Sequence, residues 1–179
     1  ITLNKNLFSN NFGNLEFQSN YKIRKYDTNK FTNFLVNDFD WNYQILKRNS
    51  FSDNTILANF KNINYEAKNV DIFKENSTHE LYGALGYLTK LELRKNDNGS
   101  LHRLNPKILL RYAPGNMRKE KDGSRLTPQK AFKMNKLDNI NNFETGLNTT
   151  IGLDYDFSGE NKNFDFSIAQ IINEKENKK

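Results

Sequence analysis

The chain has 179 residues, a net charge of +6 and a mean hydropathy of −0.86, and it contains no cysteine. Disulfides and thiolate metal sites are thereby excluded, and no run of ~18 apolar residues is present to form a helical membrane span. Aromatic residues make up 13% of the chain, more than a solvated disordered chain carries; the basic balance suits an acidic partner, but no Arg-rich helix or finger motif points to nucleic acid.

The strand signals come in chain order. The first covers residues 2–9 and ends in the turn Asn10-Asn11-Phe12-Gly13, where Asn and Gly supply positive φ. The second covers 14–25, with Leu15, Phe17, Tyr21 and Ile23 on one face and Glu16, Gln18, Lys22 and Arg24 on the other. The third covers 30–46, with Phe39, Trp41, Tyr43 and Ile45 in phase. After a polar turn at 47–53, the fourth covers 54–67. Its apolar phase slips near Lys61-Asn62, which reads as a bulge.

A loop at 68–77 leads into the fifth segment, 78–95, with Leu81, Leu85, Tyr87, Leu91 and Leu93 on one face. The turn Asn96-Asp97-Asn98-Gly99 follows. The sixth, 100–112, sets Leu104, Ile108, Leu110 and Tyr112 against Arg103, Lys107 and Arg111. Pro106 removes a ladder donor there and is read as lying near the strand start. The long irregular connection 113–139 exceeds an ordinary hairpin loop, so it is functional or flexible.

The seventh segment, 143–157, is the clearest. Every odd position from Phe143 to Phe157 is apolar, aromatic or threonine; every even position from Glu144 to Asp156 is charged, polar or glycine. A period of two puts these sets on opposite faces. The eighth segment, 162–173, carries Phe164, Phe166, Ile168 and Ile172 in phase.

Several of these segments exceed the ~5–6 residues usual in water and reach the ~9–11 of a tilted membrane-spanning strand. Only alternate residues of such a strand meet lipid, so low mean hydropathy is compatible with it. The expected fold is all-β: an antiparallel up-and-down meander of about eight long strands, part of a large transmembrane β-barrel, within one partial barrel domain spanning 1–179. The chain opens inside a strand at Ile1-Thr2-Leu3, which reads as an internal piece of a longer chain.

A resemblance enters in the second half. Leu104-Asn105-Pro106-Lys107-Ile108-Leu109-Leu110-Arg111-Tyr112-Ala113-Pro114 resembles the L-x-P-x-x-x-L-x-Y-x-P strand of the lipopolysaccharide-assembly outer-membrane protein family LptD (organic solvent tolerance protein). The stretch 131–140 is similar to its F-x-x-N-R-x-x-x-D segment, with Lys136 in place of Arg and shortened spacing to Asp138. Phe143-Glu144-Thr145-Gly146-Leu147 resembles the next strand. Phe166-Ser167-Ile168-Ala169-Gln170 resembles its x-S-x-G-Q, with Ala169 for Gly. Residues 1–100 match in strand rhythm and in the Ser9–Gly13 turn. The resemblance implies a fragment of the C-terminal β-barrel in the bacterial outer membrane. It also implies a non-catalytic role in inserting lipopolysaccharide into the outer leaflet. The implied partners are lipopolysaccharide, the plug lipoprotein LptE, membrane lipids and a periplasmic transport bridge reached through an N-terminal domain outside this piece. No cofactor is implied.

Long outer and short periplasmic connections place 113–139 outside the cell and the turns near Asn10, Arg48, Asn98 and Gly159 on the periplasmic side. The lumen-facing candidates are Arg103, Lys107, Arg111, Glu144, Asn148, Asp154 and Asp156. The lipid-facing candidates are Leu147, Ile151, Leu153, Tyr155, Leu85, Leu91, Ile108 and Leu110. The basic row could bind lipid A phosphates, sugar acids or the plug through charge-assisted bonds, or simply pair with the acidic row across the strands. Paired carboxylates can hydrolyse glycosides, but a polar lumen wall explains Glu144, Asp154 and Asp156. His79 and His102 lie on different strands with no third ligand in register, so no metal or triad is assigned. Trp41 and Tyr43 fit a membrane-interface girdle or core packing. The alternatives are another outer-membrane barrel, such as a porin or adhesin, and a sugar-binding β-sandwich free in water.

Overall fold

The computed structural model describes residues 1–45, 51–97, 99–118, 125–137 and 139–174. It is one antiparallel sheet of nine strands: β1 (Thr2–Asn10), β2 (Gly13–Lys25), β3 (Phe31–Ile45), β4 (Ser52–Lys68), β5 (Thr78–Leu91), β6 (Leu93–Asp97), β7 (Ser100–Ala113), β8 (Gly146–Ser158) and β9 (Asn163–Asn173). Neighbours in sequence are neighbours in the sheet, with β5 and β6 both against β7. The meander is not closed: β1 and β9 are its edges. Among the described residues no second sheet packs on it. Leu46, Arg48, Asn98, Asp122-Gly123, Asp138 and the charged end after Glu174 lie outside the described residues.

β5 and β6 are the single fifth segment expected from the sequence, cut at Glu92. Lys90 pairs with Lys107 and Leu93 with Leu104, so the register is the same on both sides of the cut. The gap lies opposite Asn105 and Pro106, and proline has no N–H to donate across it. Pro106 therefore sits in the interior of β7, not near its start.

The bulge expected at Lys61-Asn62 is absent. β4 runs in unbroken register against β3 from Asn54 to Lys68 and against β5 from Ser52 to Tyr65. The apolar residues change faces instead. Ile56, Ala58 and Phe60 lie on one side of β4, and Ile63, Tyr65 and Ala67 on the other. The second group packs with Phe34 and Val36 of β3 under Phe73 of the 69–77 connection, all five strand-borne residues being buried. Phe73 meets Phe34 and Tyr65 edge-on at 5.0 and 5.5 Å. A real irregularity occurs where none was expected, in β1 between Asn6 and Phe8.

The register assigns every strand residue to a face, because cross-strand partners point the same way. One row runs Leu15, Trp41, Ala58, Leu85, Tyr112, Leu147. It begins near the short-turn end of β2 and ends at the long-connection end of β8. That stagger is what tilted strands of a closing wall produce.

Candidate functional site

One face of the open sheet, labelled outer for its apolar character, carries Leu3, Phe17, Ile23, Leu35, Phe60, Leu85, Tyr87, Leu91, Leu93, Ile108, Leu110, Leu147, Ile151, Phe166 and Ile168 by register. Most are exposed although large and apolar: Leu85 by 64%, Ile108 and Leu110 by 49%, Ile151 by 46%. All eight residues expected to face lipid lie here, including Leu153 and Tyr155. Charges on this face are few and mostly at strand ends (Lys25, Glu66, Lys95); Lys5 on edge strand β1 is the exception. Trp41 and Tyr43 also lie on this face, stacked at 6.1 Å, and Trp41 donates its indole N–H to the Phe12 carbonyl at 2.9 Å. An exposed apolar surface of this extent marks a contact with something other than water.

The inner face is polar and charged. Asp38 pairs with Lys61 at 2.7 Å, and the Asn59 amide donates to Asp38 and Asp40 at 2.6 Å each. Six of the seven lumen-facing candidates lie on this face of β7 and β8: Arg103 opposite Asp156, Arg111 opposite Asn148, with Lys107 ion-paired to Asp154. For Lys107, then, the pairing between rows is realised. Those two residues border a polar hollow of about 220 Å³ with Asp53, Lys90 and Glu92.

Glu144 is the seventh candidate, and it is not in a strand. β8 begins at Gly146, whose φ of +106° breaks the extended run, so Phe143, Glu144 and Thr145 leave the odd–even pattern. They belong to the connection from β7, whose described residues 130–137 and 139–145 fold back onto the inner face. Phe143 is fully buried there against Ala84, Ala113, Met134 and Tyr82, stacking on Tyr82 at 5.7 Å.

Three groups hold the connection. Arg111 is wholly buried and donates to the carbonyls of Met134 and Glu144. Its guanidinium also lies over the Phe143 ring at 5.4 Å. It is therefore an anchor for the connection, with a different role from Arg103, which stays exposed. Lys136 reaches Glu144 at 3.2 Å and Asn148 at 3.1 Å. Burial pushes its ammonium below the ordinary lysine range, with Glu144 opposing the shift and Arg111 adding to it. Arg118 pairs with Glu80 at 2.7 Å, donates to the Asn141 carbonyl at 2.7 Å, and lies over Tyr65 and Phe73 at 5.1 and 5.0 Å. It thus ties this connection to the 69–77 one.

Two glycines complete the seat. A Cβ on Gly86 would lie 2.8 Å from the Met134 sulfur, and one on Gly152 would lie 2.7 Å from both the Phe132 ring and the Ile168 carbonyl oxygen of β9. Lys107 sits over that ring at 4.6 Å, and Thr150 donates to the Ala131 carbonyl at 3.1 Å beside the 3₁₀ turn Lys130–Phe132. Sequence reasoning missed Arg118, Met134, Phe132 and the glycine pair. The available signal was two glycines in mid-strand with no turn around them.

His79 and His102 both lie on the outer face by register, and His102 Nδ1 is 2.8 Å from the Tyr155 hydroxyl. Among the described residues no three His, Asp or Glu side chains converge as a metal site. No protein-family model matches the chain, and no curated protein matches it.

Proposed function

We propose that this sheet is a stretch of the wall of an outer-membrane β-barrel. Its apolar face meets acyl chains and its polar face lines a water-filled lumen. The observation that carries the reading is the pairing of opposites on one sheet: a broad exposed apolar face backed by a charged, hydrogen-bonded one. A sheet of a water-soluble protein packs its apolar face away and solvates the polar one. A barrel wall does the reverse. A sugar-binding sandwich needs a second sheet against the apolar face, and the single meander gives it no support.

Within that class we place the chain in the lipopolysaccharide-assembly translocon, on the four ordered motifs between Leu104 and Gln170. Its work is positional, without catalysis. Sugars and phosphates travel along the polar side while the acyl chains leave sideways into the leaflet. LptE would fill the lumen and the periplasmic bridge would deliver the glycolipid.

Two measurements on the full-length protein in cells test this. This stretch has no native cysteine, and any cysteine elsewhere in the full-length protein is replaced first. Single cysteines at Leu147, Ile151 and Leu153 should react with a membrane-restricted reagent, and cysteines at Asn148 and Asp154 should not; the reverse pattern sinks the wall reading. Depletion of the protein should stop newly made lipopolysaccharide from reaching the cell surface. Normal arrival, with the labelling pattern intact, would leave another kind of barrel, such as a porin or adhesin.

A further inference from the structure

The connection after β7 was expected to stand outside the barrel. Its returning half, residues 130–137 and 139–145, lies instead on the inner face. From its geometry we infer that this segment is a fixed constriction of the lumen, built into the wall to limit the bore. The inference rests on the barrel reading.

Four independent features make the seat permanent. The wall is notched to receive the segment at Gly86, where the Met134 side chain fills the space a Cβ would take; Gly152 keeps clear both the Phe132 ring and the Ile168 carbonyl of β9. The segment brings matching apolar side chains, with Ala131, Met134 and Phe143 all buried. Its backbone carbonyls at Ala131, Met134 and Glu144 are taken by wall side chains: Thr150 for the first and Arg111 for the other two. Its own turn is closed internally by Asn135, which donates to the Asn142 carbonyl at 3.2 Å and accepts from the Glu144 N–H at 3.1 Å. A lid that swings away would give up both Arg111 hydrogen bonds and bare Met134 and Phe143 to the water of the lumen. That loss of apolar burial falls on every opening, so a mobile gate is a poor use of this design.

The exposed side chains in and just ahead of the segment are mostly basic or polar. Lys133, Gln129 and Arg125 are exposed, with Leu126 the apolar one among them. The constriction therefore narrows the passage for neutral and cationic solutes while presenting positive charge to anionic sugars.

The test uses full-length protein in lipid vesicles and planar bilayers. With Gly86→Cys and Met134→Cys together, a short thiol crosslinker with a cleavable spacer should join the two positions in the folded protein, because the Met134 side chain reaches into the notch at Gly86. Conductance and lipopolysaccharide delivery should be the same with the link intact or cleaved. Failure to crosslink, or a loss of delivery on crosslinking that cleavage restores, overturns the proposal. The second arm is Gly86→Leu, which displaces the Met134 side chain and evicts the segment. It should raise conductance several-fold and admit bulky hydrophilic antibiotics to cells. Unchanged permeability, with Leu147→Cys still labelled from lipid, defeats the constriction alone; lipid labelling that moves to Asn148→Cys defeats the barrel itself.

Discussion

Ile151→Arg puts the membrane assignment under the most direct load. Ile151 lies mid-way along β8, opposite Ile108 on one side and Gln170 on the other, and it is 46% exposed on the outer face. An arginine on the lipid face of a barrel at the bilayer midplane costs ~2–4 kcal/mol, falling to ~0–1 near the interfaces. At about 1.4 kcal/mol per tenfold, that is a folding equilibrium weakened roughly 30- to 700-fold. The same change on a surface facing water removes an exposed apolar group and adds a solvated one, which is within about 0.5 kcal/mol of neutral. The two surroundings therefore differ by more than the error of a careful titration. The assay is guanidinium unfolding of the full-length protein refolded into lipid vesicles, with Gln18→Arg as the control. Gln18 is exposed on the inner face opposite Asp38, so an arginine there should cost nothing measurable. If Ile151→Arg stays within about 0.5 kcal/mol of the parent, or if Gln18→Arg costs as much, the assignment of faces is wrong.

Two further outcomes are expected. Gly146→Ala should destabilise by about 1–3 kcal/mol: its Cβ would meet nothing within 4 Å, so the whole cost is backbone strain at φ +106°. Hydrogen exchange should then speed up at residues 139–145, and unchanged exchange there would contradict the kink. The docking of Lys136 sets a pH dependence. Burial, with Arg111 adding to it, holds its folded-state pKa below the unfolded value of 10.5, despite the opposing pull of Glu144. Below both values Lys136 is charged in both states and its burial is least favoured. Stability should therefore rise as pH climbs through the lowered folded-state pKa toward 10.5, because the unfolded chain binds more protons in that window. Lys136→Met should abolish the rise, and a slope that survives the substitution assigns it to another group.

The sequence made the two-faced meander legible because strand alternation is a local property. Once Leu147, Ile151 and Leu153 were in phase, their shared face followed from geometry alone. It failed where the cause lies far along the chain. Phe143 and Thr145 keep the phase of Leu147, and nothing local says that Gly146 turns the backbone away from it. Arg103, Lys107 and Arg111 form one row by spacing, yet their surroundings divide them. One is exposed, one is ion-paired, and one is sealed beneath a segment that returns some twenty residues later. The phase slip at Lys61-Asn62 was real, but its origin was Phe73 arriving from the 69–77 connection, which makes one end of an inner face apolar without shifting register. Pro106 was legible as a missing donor, while its position along the strand depended on where β7 began.

That switch of faces along β3 and β4 has its own consequence. Below it, oily residues look outward and charged ones inward; above it, Asn62, Asn64 and Glu66 look outward over a small dry nucleus of Phe34, Val36, Ile63, Tyr65 and Ala67. On the proposed membrane reading, the changeover on β4 between Phe60 and Asn62 marks a preferred depth: a deeper seat would carry the amides of Asn62 and Asn64 and the Glu66 carboxylate into hydrocarbon, and a shallower one would bare Phe60 and Leu85 to water. On that reading the changeover is a waterline marked on the hull along β4; on β3, Leu35 still looks outward opposite Asn64.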